Sequence, residues 1–180
     1  MKFNFDYITN YIMEYDTGVP KTIILGVLII ICGTMIVLSM ISANSKVFFR
    51  NAAWCLLFGY LFLTISATII FREVSETYRY SFYPFLNYTK LYNEMLAQII
   101  LNVVMFIPIG FLIGGAVKNM NTLKILGIGC FLSLTIEIIQ LLSKRGVFNI
   151  DDIIHNTIGG IIGYGIYRLT SMMIRKSLPM

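Results

Sequence analysis

Five long apolar runs, at about residues 22–42, 52–71, 95–117, 122–142 and 153–170, leave this chain few ways to fold. A hydrocarbon core of about 30 Å takes about 20 residues of helix to cross, and each run meets or approaches that length. Backbone groups inside hydrocarbon must bond within their own segment or close into a barrel. The runs lack the alternation of barrel strands, so they predict helices. The expected fold is all-α, a polytopic membrane bundle of about five transmembrane helices. Composition agrees, because the chain is 57% hydrophobic and 13% charged, whereas soluble domains carry roughly 25% charged residues.

The net charge of +5 does not mark a nucleic-acid binder, because the Lys and Arg residues stand singly or in pairs between apolar runs. That is the placing of membrane-flanking anchors, not of a basic stripe. Cys32, Cys55 and Cys130 lie inside apolar runs without paired spacing, which predicts neither disulfides nor a zinc site. The first apolar run opens too far from the start for a signal peptide and reads as a retained anchor. Ahead of it, Tyr7, Ile8, Tyr11, Ile12 and Tyr15 recur at helical spacing. They predict an amphipathic interfacial helix within residues 1–21, followed by a single bundle over 22–180. The connection 72–93 carries Tyr78, Tyr80, Phe82, Tyr83, Phe85, Tyr88 and Tyr92 around Pro84, and is expected to lie at the interface as an aromatic belt.

Five crossings put the termini on opposite sides and bring connections 72–93 and 143–152 to one common side. The fourteen basic residues divide seven to seven between the sides. The Arg175 and Lys176 pair is the reason to place the carboxyl terminus inside and the amino terminus outside.

Glu137, in the fourth run, is the residue that most needs a reason. An ionisable group in a span costs several kcal/mol on most estimates, and so faces a bundle interior or wet cavity with a partner. Arg72 closes the second run and Arg145 follows the fourth, so either is a candidate partner. Ser133, Glu137 and Gln140 fall on one helical stripe. Polar groups that glue helices together are the simpler account of Ser133 and Gln140. At the start of the fifth helix, Asp152 with Asn156 and Asp151 with His155 are each four apart. A helix N-terminus favours acids, which accounts for one aspartate but not for both together with Asn156. One histidine among carboxylates is a poor metal signal, so neither metal nor cofactor is expected. The third run carries Asn102, Pro108 and Gly110, and Pro108 deprives the Val104 carbonyl of its partner, which predicts a kink or water site there. Gly110 with Gly114, and Gly159 with Gly163, are pairs that allow close helix approach.

The stretches NVVMFIPIGFL and SLTIEIIQLLSKRGVFNIDDIIHNTIGGIIGY resemble the VanZ-like family of small bacterial membrane proteins. The family pattern falls on Arg72, on Pro84 and Phe85, on Asn102, Phe106, Pro108 and Gly110, on Glu137 and Gln140, on Arg145 and Gly146, and on Asp151, Asp152, Asn156, Gly159 and Gly160. It covers about residues 50–168. The resemblance implies a multi-pass protein of the bacterial cytoplasmic membrane associated with glycopeptide resistance, teicoplanin more than vancomycin.

Two functions fit these residues. In the first, a charged pocket at the membrane boundary binds an anionic or lipid-linked head group, of a cell-wall precursor or a lipidated antibiotic. Arg72 and Arg145 would hold the anion, with Asn102, Glu137, Gln140, Asp151, Asp152 and Asn156 orienting them and bonding sugar or peptide groups. In the second, the chain is an intramembrane hydrolase or transferase with Glu137 or Asp152 as general base. Membrane lipids are the expected partners of either.

Overall fold

A computed structural model describes residues 4–14, 17–42, 44–82 and 92–177. Helix α1 (Phe5–Met13) precedes five long helices: α2 (Lys21–Ile41), α3 (Ser45–Ile65), α4 (Tyr92–Ala116), α5 (Thr122–Ser143) and α6 (Ile150–Ser177). The helical bundle is as expected. Helices α2, α3 with its extension, α4 and α5 are long and apolar enough to cross a membrane. The fifth long helix is not among them, for the polar residues that made it interesting also dilute it. It is instead sheltered by α4, against which it makes the most extensive helix contact of the bundle.

Two features lay outside the reach of the apolar pattern. Helix α3 loosens into a π-turn at Ser66–Ile70. The polar connections also hold two three-residue strands, β1 (Arg79–Ser81) and β2 (Val147–Asn149), paired in parallel with Arg79 opposite Val147 and Ser81 opposite Asn149. The two connections, expected on a common side, therefore meet at one end of the bundle. Of the aromatic belt, Tyr78 lies under the Lys144 ammonium at 4.8 Å and Phe82 packs on Phe148 at 5.4 Å. These rings clasp the α5–α6 connection. Tyr83, Pro84, Phe85 and Tyr88 are outside the described residues.

The α4–α6 seam is built on glycine. A Cβ at Gly159 would strike the Val103 carbonyl, and one at Gly163 the Ile107 carbonyl. Backbone thus meets backbone, as the small-residue spacing predicts. Phe106, Ile109 and Ile125 fill the centre with Leu57, Ile113, Ile136 and Tyr164. Helix α4 runs on through Pro108. Proline crowds the carbonyls one turn back, and the Met105 carbonyl there takes a hydrogen bond from Tyr60 Oη at 3.0 Å.

Local chemistry fixes the helix ends at the connections. Asn121 opens α5 by accepting from the Lys124 N–H at 2.8 Å. Lys144 closes it in the left-handed conformation, φ 56°, letting the Arg145 N–H return to the Gln140 carbonyl at 3.0 Å. Asn149 caps α6, accepting from the Asp151 N–H at 3.1 Å. The two aspartates occupy the first turn without serving as the cap.

Candidate functional site

The end of α3, the starts of α4 and α6 and the end of α5 converge beneath the β1–β2 pair. They enclose a cavity of about 600 Å³ lined by Arg72, Asn102, Glu137, Gln140, Asp152 and Asn156 among others. Six of the eight residues predicted for a binding site are therefore gathered in one place. Arg72 is exposed, and Glu137 and Asn156 are each only 2% exposed, so the cation stands at the mouth and polar groups line the depth.

The polar stripe of α5 is divided among three partners. Ser133 Oγ accepts from Asn156 Nδ2 at 2.8 Å. Gln140 Nε2 donates to the Thr68 carbonyl at 3.1 Å, within the π-turn. Glu137 Oε2 accepts from the Asn149 backbone N–H at 2.8 Å. The buried carboxylate therefore has as its hydrogen-bond partner the capping residue of α6, where the helix end offers N–H groups and a favourable dipole. The sequence suggested an arginine instead. Arg72 lies near enough for its charge to act on both Glu137 and Asp152. Asp152 accepts from Asn149 Nδ2 at 3.1 Å and from the Asn102 side chain.

Arg145 and Asp151 are placed elsewhere. The Arg145 guanidinium donates to the carbonyls of Ile69 at 3.4 Å, Ile70 at 2.5 Å and Arg72 at 2.9 Å. It fastens the end of α3, whose last carbonyls have no helical partner, and does not line the cavity. The expectation that two arginines share an anion gives way to one arginine at the mouth and one that holds that mouth in place. Asp151 is buried away from the lining, its charge directed at His155 one turn on. Among the described residues, no three His, Cys, Asp or Glu side chains could together hold a metal ion.

Sequence reasoning missed Tyr60, Thr64 and Thr68, which line the opposite wall. Their spacing of four was a readable signal, a polar stripe on the second span. It also missed Asn149, whose amide, side-chain oxygen and side-chain nitrogen serve three acidic or backbone partners. Tyr11 and Thr17 reach the lining from the amino-terminal segment. There α1 is tied to α4 by Tyr7 Oη donating to Glu94 Oε1 at 3.2 Å and by the Asn4 N–H to Asn93 Oδ1 at 3.2 Å.

A model of the VanZ/LLP1 family matches residues 27–171, nearly the whole bundle with every cavity residue named above except Tyr11 and Thr17. The chain belongs to the VanZ/LLP1 family. It is similar to Protein VanZ of Enterococcus faecium, with 39% identity over 74 residues, 41% of this chain and 46% of that protein. The alignment thus spans about half the length of that curated relative. No solved structure matches.

Several residues of the family pattern now have physical reasons. Arg145 secures the end of α3, and a Cβ on Gly146 would meet the Gln140 side chain at 3.1 Å. Asp152 and Asn156 present oxygen and amide to the cavity from successive turns of α6. Gly159 brings that helix against α4, and on α5 Gly129 lies against Thr157, next to the Asn156 that bonds Ser133.

Proposed function

We propose that the cavity receives the polar head of a membrane-borne ligand, an anionic or lipid-linked head group. The candidates are a cell-wall lipid precursor and a lipidated glycopeptide of the teicoplanin type. One observation carries this reading. An arginine with no hydrogen bond to its guanidinium among the described residues shares a recess with two carboxylates and the amides of Asn102, Gln140 and Asn156. Phosphate or carboxylate would meet Arg72 at the mouth. Hydroxyl and amide groups of a sugar or peptide would then reach the polar floor, where Asn156 Oδ1 is buried and has no hydrogen-bond partner among the described residues. The mixed signs select a head group with donors as well as negative charge. With the carboxyl terminus inside, the cavity opens at the outer leaflet, where both candidate ligands are met.

The test uses purified protein in nanodiscs, with a polyprenyl-diphosphate-linked sugar and teicoplanin as separate probes. Arg72→Gln should reduce retention of the bound probe about tenfold or more, the loss of one charge-assisted contact, with the melting temperature unchanged. Equal retention by wild type and variant would count against the reading. Turnover of the lipid-linked sugar, abolished by Glu137→Gln while binding persists, would instead establish the hydrolase or transferase with Glu137 as general base.

A further inference from the structure

A second cavity, about 550 Å³, lies at the opposite end of the bundle, and the proposed head-group site makes no use of it. Lys46 and Arg50, one turn apart on α3, Lys118 just beyond α4 and Arg168 on α6 all line it, and no acidic residue does. Among the described residues, none of the four cationic heads takes part in a hydrogen bond or ion pair. The floor is different in kind. Tyr164 and Tyr167 stack at 6.4 Å, with Tyr164 Oη committed to the Met120 carbonyl at 2.6 Å. Gly114 leaves room for the Tyr167 ring, which a Cβ there would strike at 2.5 Å. Met172 lines the rim, and Leu169 and Met173 continue an exposed apolar surface along α6.

Snorkelling accounts for basic side chains at a membrane boundary. It does not account for four of them, drawn from three elements, facing one recess without a counter-charge. Like charges brought together repel unless an anion joins them. An anion here would meet only cations, and beside it lies an apolar path for a hydrocarbon chain.

We propose that this basic cavity binds the phosphate of an anionic phospholipid head group, with the acyl chains lying along α6. Phosphate offers the oxygens that guanidinium and ammonium groups bind best, and basic pockets between spanning helices suit such lipids. The site is separate from the Arg72 cavity and stands whether or not that cavity binds a head group.

The experiment is native mass spectrometry of the full chain released from nanodiscs of phosphatidylcholine with and without phosphatidylglycerol, inorganic phosphate being the soluble arm. Wild type and Arg72→Gln should both retain phosphatidylglycerol over phosphatidylcholine. Arg50→Gln with Arg168→Gln should cut that preference roughly thirtyfold, as removal of two cations near an anionic head group implies. Arg50→Lys with Arg168→Lys keeps the charge and should keep most of the preference, which separates binding from any damage to the fold. Equal retention in the Gln double variant would overturn the site. Stabilisation by inorganic phosphate without preference for phosphatidylglycerol would overturn the lipid as its occupant.

Discussion

The two ends of the bundle hold cavities of similar size, about 600 and 550 Å³, and opposite character. At the Arg72 end the charges have both signs, and most are already bound. Glu137 is held by a helix-end amide, Asp152 by two asparagines, and Arg145 by three carbonyls. At the Arg168 end the charges share one sign, and their heads are unengaged among the described residues. Buried polar groups must be satisfied within the protein, so a cavity that reaches into the bundle comes with its own network. A cavity at the rim can leave its charges to solvent and head groups. The first end is therefore shaped by folding and the second by what surrounds it, and substitutions should separate the two.

The largest effect should fall on both ends together, at the seam that keeps them in register. Gly163→Val drives side-chain carbon into the Ile107 backbone, where neither helix can yield cheaply. It should cost several kcal/mol, above the roughly 1–3 kcal/mol of ordinary overpacking. Loss of the monodisperse peak in size-exclusion chromatography would register it. A variant of normal stability would mean that α4 and α6 do not need this approach.

Next come the two arginines of the first end, alike in sequence position and different in use. Arg145→Gln leaves the closing carbonyls of α3 without their donor and should cost about 2–4 kcal/mol, given about 1.5–3 kcal/mol for a hydrogen bond to a charged group. Arg72→Gln should stay within about 0.5 kcal/mol, as exposed substitutions do. Thermal melts of the pair test the contrast directly. Equal losses would remove the distinction between the arginine at the cavity mouth and the one that holds the α3 carbonyls.

A smaller effect is expected within the network. Ser133→Ala deprives Asn156 Nδ2 of its acceptor at a buried site and should destabilise by about 1–3 kcal/mol. Tyr60→Phe, which releases the Met105 carbonyl, should cost about 1 kcal/mol. The smallest effect is one of conditions. Raising salt from 0.1 to 1 M shortens the screening length from about 10 to about 3 Å. It should weaken anionic-lipid retention at the Arg168 end and leave the melting temperature of the protein, set by the buried network, almost unmoved.

How much of this was readable beforehand follows from the kind of signal each residue gives. Glu137 announced itself because a carboxylate among isoleucines has no cheap explanation. Asp152 and Asn156 were legible through a spacing of four, which fixes a shared helix face. Arg145 was misread because its chemistry suits an anion and a row of open carbonyls equally well. Position in the sequence does not say which of the two it meets. Asn149 gave almost no signal, being one asparagine in a turn, and it became central because backbone, oxygen and nitrogen each found a different neighbour.

The sequence by itself determined that this chain is helical and membrane-borne, where its long helices run, and that the two polar connections lie on one side. Those follow from local rules, the length of apolar runs and the need of every backbone group for a partner away from water. Only the tertiary structure decided which charges are bound and which are open. It set Arg145 on the α3 carbonyls, Glu137 on the start of α6, and four basic residues around a second recess. A charged group settles wherever its hydrogen bonds are met, and those partners come from segments far apart in the chain.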